Sequence, residues 1–229
     1  MRDKFVSTKN TKKFQSAVHR INHKLHGVER IALVAGEVGL GKTVAGLYFG
    51  VSDGATMLTI WPGMSQHWLL RELAKELGVE PAWRTEKLIE QIKKVLLEEP
   101  RTLILDEVDH FFSENGTKGI DALETLRKIH DLCHCPMVLI GEEQINKKIA
   151  RIPRLNDRIV EIVRFEKYRE DDVKDMISQL SEYRFGDDAI EKITKVSDGR
   201  IRPIMRLIHA AEGAARIHQL KTIGAKDFS

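Results

Sequence analysis

Residues 31–43 read Ile31-Ala32-Leu33-Val34-Ala35-Gly36-Glu37-Val38-Gly39-Leu40-Gly41-Lys42-Thr43. The first five are an apolar run without polar alternation, the pattern of a strand buried on both faces. The next eight fit G-x-x-x-x-G-K-[ST], a glycine loop that opens a helix. Glycine lets backbone N–H groups close around phosphate oxygens with no Cβ in the way. A helix starting near Lys42 points its partial positive end at the same oxygens. The stretch Gly36, Glu37, Val38, Gly39, Leu40, Gly41, Lys42 and Thr43 is therefore expected to cradle ATP. Lys42 would reach the β- and γ-phosphates, and Thr43 would give its hydroxyl to Mg²⁺.

A second acidic element follows downstream. Thr102-Leu-Ile-Leu-Asp106-Glu107-Val108-Asp109 is an apolar strand ending in two acids. Asp106 is expected to hold Mg²⁺ with Thr43, and Glu107 to polarise the attacking water. The next strand ends in Gly141-Glu142-Glu143-Gln144. Ligands of open α/β sheets bind outside the carboxyl ends of strands, so any of the last three could feel the γ-phosphate. Arg151, Arg154 and Arg158 precede the last strand, and one of them could complete a neighbouring subunit's site. Ser197-Asp-Gly199-Arg200-Ile-Arg202 places an arginine at the start of the last long helix, from where it could close over the nucleotide.

Working outward, strand runs at 30–35, 55–60, 102–105, 137–140 and about 159–165 alternate with helices. Residues 10–26 read as a helix ended by Gly27. Another starts at Ser65, carries Leu69, Leu73 and Leu77 on one stripe and stops at Gly78. Others run from Thr85 to about Glu98 and over 120–133. This order predicts an α/β, three-layer P-loop core with a five-stranded parallel sheet. After Tyr168 strand signals vanish, and 170–182, 187–196 and 202–220 read as a small C-terminal helical lid. The expected division is a core over 1–167 and a lid over 168–229.

The chain has 229 residues and a net charge of +3, but the charge is uneven. Residues 1–30 hold eight Lys/Arg against two acids, and residues 200–229 hold six against two. Basic ends around an acidic middle point to a polyanionic partner, nucleic acid among them. No apolar run approaches the ~20 residues of a membrane span, and Met1-Arg2-Asp3-Lys4-Phe5 lacks a signal-peptide core. Two cysteines make no disulfide framework, so a cytoplasmic protein without a membrane partner is expected. His130-Asp-Leu-Cys133-His134-Cys135 lacks the spacing of a structural zinc site, and buried cysteines at a helix end are expected instead. Trp61, Trp68 and Trp83 are expected to pack in the core. The loop Ser113–Gly119 could put Lys118 against DNA phosphate.

This order of parts resembles an AAA+ ATPase. Within that superfamily it is most similar to the transposition-regulator ATPases, the relatives of the phage Mu B protein. Phe5-Val-Ser-Thr-Lys-Asn-Thr-Lys-Lys-Phe14, Asp106-Glu-Val-Asp-His110 with Ala122-Leu-Glu-Thr-Leu-Arg-Lys-Ile-His-Asp131, and Met137-Val-Leu-Ile-Gly141 carry the resemblance. It implies Arg158 as the arginine finger, Arg202 as the sensor-2 arginine, and the sensor-1 position at Glu142. It also implies a homo-oligomer, filament or ring, on double-stranded DNA without strong sequence preference. That assembly would recruit and stimulate a transposase, with ATP hydrolysis controlling disassembly. The chain starts at the ATPase core, so the core itself is expected to hold DNA. A replication helicase loader or initiator-like ATPase is the alternative. A monomeric kinase or helicase fragment is a third class; a two-core helicase would need a second domain, and a kinase would need neither finger nor lid arginine.

Overall fold

The computed structural model describes residues 5–23, 29–112 and 118–228. Its elements run α1 (Lys9–Asn22), β1 (Ile31–Ala35), α2 (Lys42–Ser52), β2 (Thr56–Thr59), α3 (Gln66–Glu76), α4 (Thr85–Glu98), β3 (Leu103–Asp106) and a 3-10 turn (Val108–Phe112). They continue with α5 (Lys118–Cys133), β4 (Met137–Gly141), α6 (Ile145–Ile149), α7 (Pro153–Asn156), β5 (Ile159–Arg164) and α8 (Glu170–Leu180). The chain closes with β6 (Arg184–Phe185), α9 (Asp187–Ser197), α10 (Ile201–Ile217), β7 (Thr222–Ile223) and a short 3-10 turn. The predicted helix over 10–26 is α1; its expected end at Gly27 lies outside the described residues, as do loop residues 113–117 and the Lys118 side chain.

Two compact units divide the chain. The sheet unit comprises Phe14–Gly36 and Lys42–Arg164. Its five strands lie in the order β2-β3-β4-β1-β5, all parallel, as the unalternating apolar runs predict. Ile31 of β1 pairs with Met137 of β4 on one side and Ile159 of β5 on the other. Successive strand residues face opposite ways, and both faces are covered. Ile31, Leu33, Leu103, Leu105, Met137 and Leu139 share a core with Leu69 and Leu73 of α3, Leu88 and Ile92 of α4, and Leu126 and Ile129 of α5. Residues of the other parity meet α2: a Cβ added at Gly46 would sit 3.0 Å from Ile140 and 3.4 Å from Ile104. Phe14 of α1 stacks on Phe49 of α2 at 5.5 Å.

The helical unit comprises the chain up to Lys13, the loop Glu37–Gly41, and everything from Phe165 onward. Val173, Met176, Leu180, Ile190, Ile193, Ile204 and Ile208 from its three helices form one core, joined by Val6. It also contains a parallel pair absent from the sequence reading, with Arg184 opposite Thr222 and Phe185 opposite Ile223. Two-residue strands are too short to show a period of two, so no pattern announces them.

The tryptophans overturn their expected place in the core. Trp61, Trp68 and Trp83 are 58%, 41% and 86% exposed. The stripe that α3 buries is Leu69, Leu70, Leu73 and Ala74, and Trp68 precedes it on the outer side. Trp83 lies on the connection into α4, where the Arg71 guanidinium sits 5.6 Å over its ring.

Candidate nucleotide site

The sheet unit brings together four of the residues singled out by sequence. Lys42 opens α2, and its ammonium donates to the Gly36 carbonyl at 2.7 Å. Burial pushes the Lys42 pKa down, opposed by the carboxylates of Asp106, Glu142, Asp109 and Glu107. Asp106 ends β3 and is 2% exposed. Burial pushes its carboxyl up, and the Thr43 hydroxyl donates to it. Its Oδ2 is buried with no hydrogen-bond partner. An orphaned carboxylate oxygen costs free energy unless something electropositive meets it. A hydroxyl and a carboxylate oxygen are the hard donors Mg²⁺ takes, so Thr43 and Asp106 fit that ion.

Glu107 follows in the left-handed region, φ 57°, where a non-glycine residue is strained. Its amide donates to Asp106 Oδ1 at 3.0 Å, tying the two acids together. One 3-10 turn on, His110 Nε2 lies 3.2 Å from Glu107 Oε2. Asp109, beside it, accepts from the Glu142 amide and pairs with Lys148 at 2.8 Å. That approach requires glycine at the β4 tip: a Cβ on Gly141 would fall 2.6 Å from Asp109 Oδ2. The turn after the acids is thus pinned to the tip of β4. Glu142, Glu143 and Gln144 all have exposed side chains. Asp109 and His110 carry contacts that sequence reading missed, and the only hint was their closeness to Glu107.

The three arginines before β5 differ in surroundings. Arg158 Nε donates to Asp131 Oδ1 at 3.1 Å, and that bond raises the guanidinium pKa. Asp131 also pairs with the buried Arg127, which bonds Glu124 at 3.0 Å. Arg151 and Arg154 are exposed.

The middle of the glycine loop belongs to the helical unit. Gly39 and Gly41 take φ 87° and 93°, which side chains with a Cβ rarely adopt. The Ile201 amide donates to the Gly39 carbonyl at 2.9 Å, and the Tyr168 hydroxyl to the Leu40 carbonyl at 3.1 Å. Glu37 pairs with Lys167 at 3.4 Å and Arg200 at 3.8 Å. The residue set against this loop from α10's start is thus Arg200. Arg202 lies in the first turn of α10 with its side chain exposed.

Cys133 and Cys135 are buried, and burial pushes the Cys135 thiol up to about 12. The buried His130 ring bonds the Cys135 carbonyl at 2.8 Å. Among the described residues no group of three or more His, Cys, Asp or Glu is placed to hold a metal, and no helix is long and apolar enough to cross a membrane.

The AAA domain family profile matches residues 25–149. A Staphylococcus aureus protein described as a potential ATP-binding protein is 28% identical over 137 residues, covering 54% of this chain and 46% of that one. The Aeropyrum pernix ORC1 protein, solved in complex with DNA, superposes with a TM-score of 0.65 at 16% identity, covering 97% of this chain and 64% of that one. The Thermotoga maritima RuvB Holliday junction branch migration motor gives 0.63 at 19%, covering 97% and 67%. Cdc6p from Pyrobaculum aerophilum gives 0.65 at 16%, covering 99% and 68%. At these identities the solved structures establish the fold. The chain spans about half the length of the Staphylococcus relative.

Proposed function

The chain belongs to the AAA domain family, and from that premise we propose that it is a Mg²⁺-dependent ATPase that binds double-stranded DNA and serves a transposase. The observation that carries the ATPase reading is the pairing of Lys42 and Thr43 with Asp106 and Glu107 around an orphaned Asp106 oxygen. Lys42 exchanges the Gly36 carbonyl for the β- and γ-phosphates, a charge-assisted contact that outweighs a neutral one. Thr43 and Asp106 would hold Mg²⁺, which when bound would supply charge neutralisation for the transferred phosphate. Glu107 takes the proton of the attacking water, with Asp106 fixing its backbone. Arg158 acts in a neighbouring subunit's site as the finger, with Arg151 and Arg154 as alternatives. Arg202 senses the γ-phosphate.

The DNA and transposase parts rest on the resemblance carried by Asp106–His110, Ala122–Asp131 and Met137–Gly141, and on the basic ends of the chain. The likeness to the DNA-bound Aeropyrum protein supports DNA as a partner. The likenesses to ORC1 and Cdc6p favour the second reading, an initiator-like or helicase-loader ATPase. Phosphate release and nucleotide binding test the chemistry together. Glu107→Gln is expected to bind ATP and lose hydrolysis, since the amide cannot accept the proton. Lys42→Ala is expected to lose binding itself. Turnover retained by Glu107→Gln would sink the assignment. The chain mixed with random-sequence duplex and ATP then separates the two biological readings. Extended filaments that stimulate a transposase support the first, and rings that act on a helicase support the second.

A further inference from the structure

Asp109 sits in the turn after Glu107, yet its carboxylate does not do what an aspartate in a turn ordinarily does. An Asx turn or a helix cap takes an amide two or three residues further on. Asp109 Oδ2 instead accepts from the Glu142 amide, 33 residues away, and Oδ1 from Lys148 Nζ, 39 residues away, at 2.8 Å. The side chain is only 12% exposed. Both oxygens are thus committed to the tip of β4 and to α6 beyond it, and Gly141 leaves the room for that approach. A purely local turn accounts for none of these contacts.

The two ends of this tie both border the nucleotide site of the sheet unit. On one side Gly141 of β4 pairs with Ala35, the residue before the glycine loop. On the other, Asp109 is joined to Glu107 by a tight turn, in which the His110 amide donates to the Glu107 carbonyl at 3.1 Å. Glu107 has φ 57°, a backbone that persists only where its surroundings over-determine it. Val108 and Phe111 are 0% and 2% exposed and fix how deep the turn sits. Apolar burial is non-directional, so it does not fix how the turn is rotated. Hydrogen bonds are directional, and Asp109 supplies two of them. The far end of the turn is held by α5, where a Cβ on Gly119 would fall 2.0 Å from the Phe111 carbonyl oxygen.

We propose that Asp109 is a positioning residue for ATP hydrolysis. It ties the β4 tip, the strand end expected beside the γ-phosphate, to the turn that aims Glu107, so that the two keep one spacing. Lys148 holds the carboxylate in place and is the second member of the device. A carboxylate suits the task, because it accepts from an N–H and an ammonium at once, and both bonds are charge-assisted. Asparagine keeps one acceptor oxygen and cannot serve both donors in this way. The inference rests on the proposed role of Glu107 as general base and deepens it.

The test is steady-state phosphate release over an ATP titration, with ATP affinity and the urea midpoint measured on the same preparations. Asp109→Asn is expected to lower kcat at least about tenfold, the worth of a charge-assisted hydrogen bond, with KM and ATP affinity within about twofold of wild type. Lys148→Met leaves Asp109 in place and is expected to act in the same direction, so it carries the test if Asp109→Asn fails to fold. Lys148→Arg keeps the donor and the charge and is expected to retain most of the rate. Glu107→Gln is run alongside. If Glu107→Gln keeps its turnover, the general-base reading falls and this inference falls with it. If Glu107→Gln loses turnover while Asp109→Asn and Lys148→Met hydrolyse like wild type, the positioning role alone is overturned. ATP affinity or urea midpoint falling in step with kcat would overturn it too, marking a structural tie. So would a Lys148→Arg rate as low as that of Lys148→Met.

Discussion

His110 shows how much a single residue beside the acids can matter. Its ring reaches Glu107 Oε2 at 3.2 Å while the neighbouring Asp109 is held by Lys148 and the Glu142 amide. Glu107 is the proposed general base, and with one oxygen engaged it would present the other in a narrower range of directions. His110→Ala is expected to lower kcat for ATP hydrolysis about tenfold, the worth of one hydrogen bond to a charged group, with KM unchanged. His110→Gln keeps an N–H donor and is expected to recover most of the rate. In a Glu107→Gln background the Ala substitution is expected to add nothing, because the two act as a unit. Steady-state phosphate release measures all three. An effect of His110→Ala on KM alone would count against the positioning role.

At the scale of elements, two glycines share a backbone angle and differ in surroundings. Gly54 and Gly199 both have φ 64°. A Cβ at Gly54 would meet nothing within 4 Å, whereas at Gly199 it would fall 2.6 Å from the Tyr168 carbonyl oxygen and 2.9 Å from its nitrogen. The left-handed backbone alone costs an alanine ~1–2 kcal/mol. Gly54→Ala is expected to lose about that much. Gly199→Ala adds a clash with main chain that cannot rotate away, and is expected to lose at least ~3 kcal/mol. Urea unfolding of the two variants side by side measures the difference. Equal losses would mean that the segment around Tyr168 yields more readily than a main-chain contact should. Gly199 was legible only as part of the Ser197–Arg202 stretch that leads into the last long helix; its close approach to Tyr168 was not, because the two are distant in sequence.

For the whole molecule the open matter is whether one ATP is shared by two chains. Arg158, the proposed finger, is held by Asp131 within its own chain, so acting in trans means giving up that bond. The bond is half-exposed and worth at most ~1 kcal/mol, less than a charge-assisted contact to phosphate inside a closed interface. Arg158→Ala is expected to bind ATP and neither assemble nor hydrolyse. Mixed with Lys42→Ala, it is expected to recover part of the turnover, because one mixed interface keeps both an intact loop and an intact finger. Light scattering and phosphate release on the mixture check this. Normal hydrolysis by Arg158→Ala alone would move the role to Arg154 or Arg151, or leave each chain to act by itself.

The five parallel strands, the helices between them and the Gly36–Thr43 and Asp106–Glu107 signatures were all legible in the sequence. Burial on both faces makes strands continuously apolar, burial on one face gives helices their stripe, and phosphate chemistry demands glycines, lysine and acids at short spacing. Those are local constraints, and a linear pattern records them. Tertiary structure alone decided which partners these residues take. It divided the glycine loop between two compact units, set Arg200 against Gly39, held Arg158 on Asp131, and paired Phe185 with Ile223. It also left Trp83 on the surface under Arg71. Periodicity says that a residue is buried or exposed along its own element. It carries no record of which distant segment arrives beside it, because that is set by the packing of whole elements.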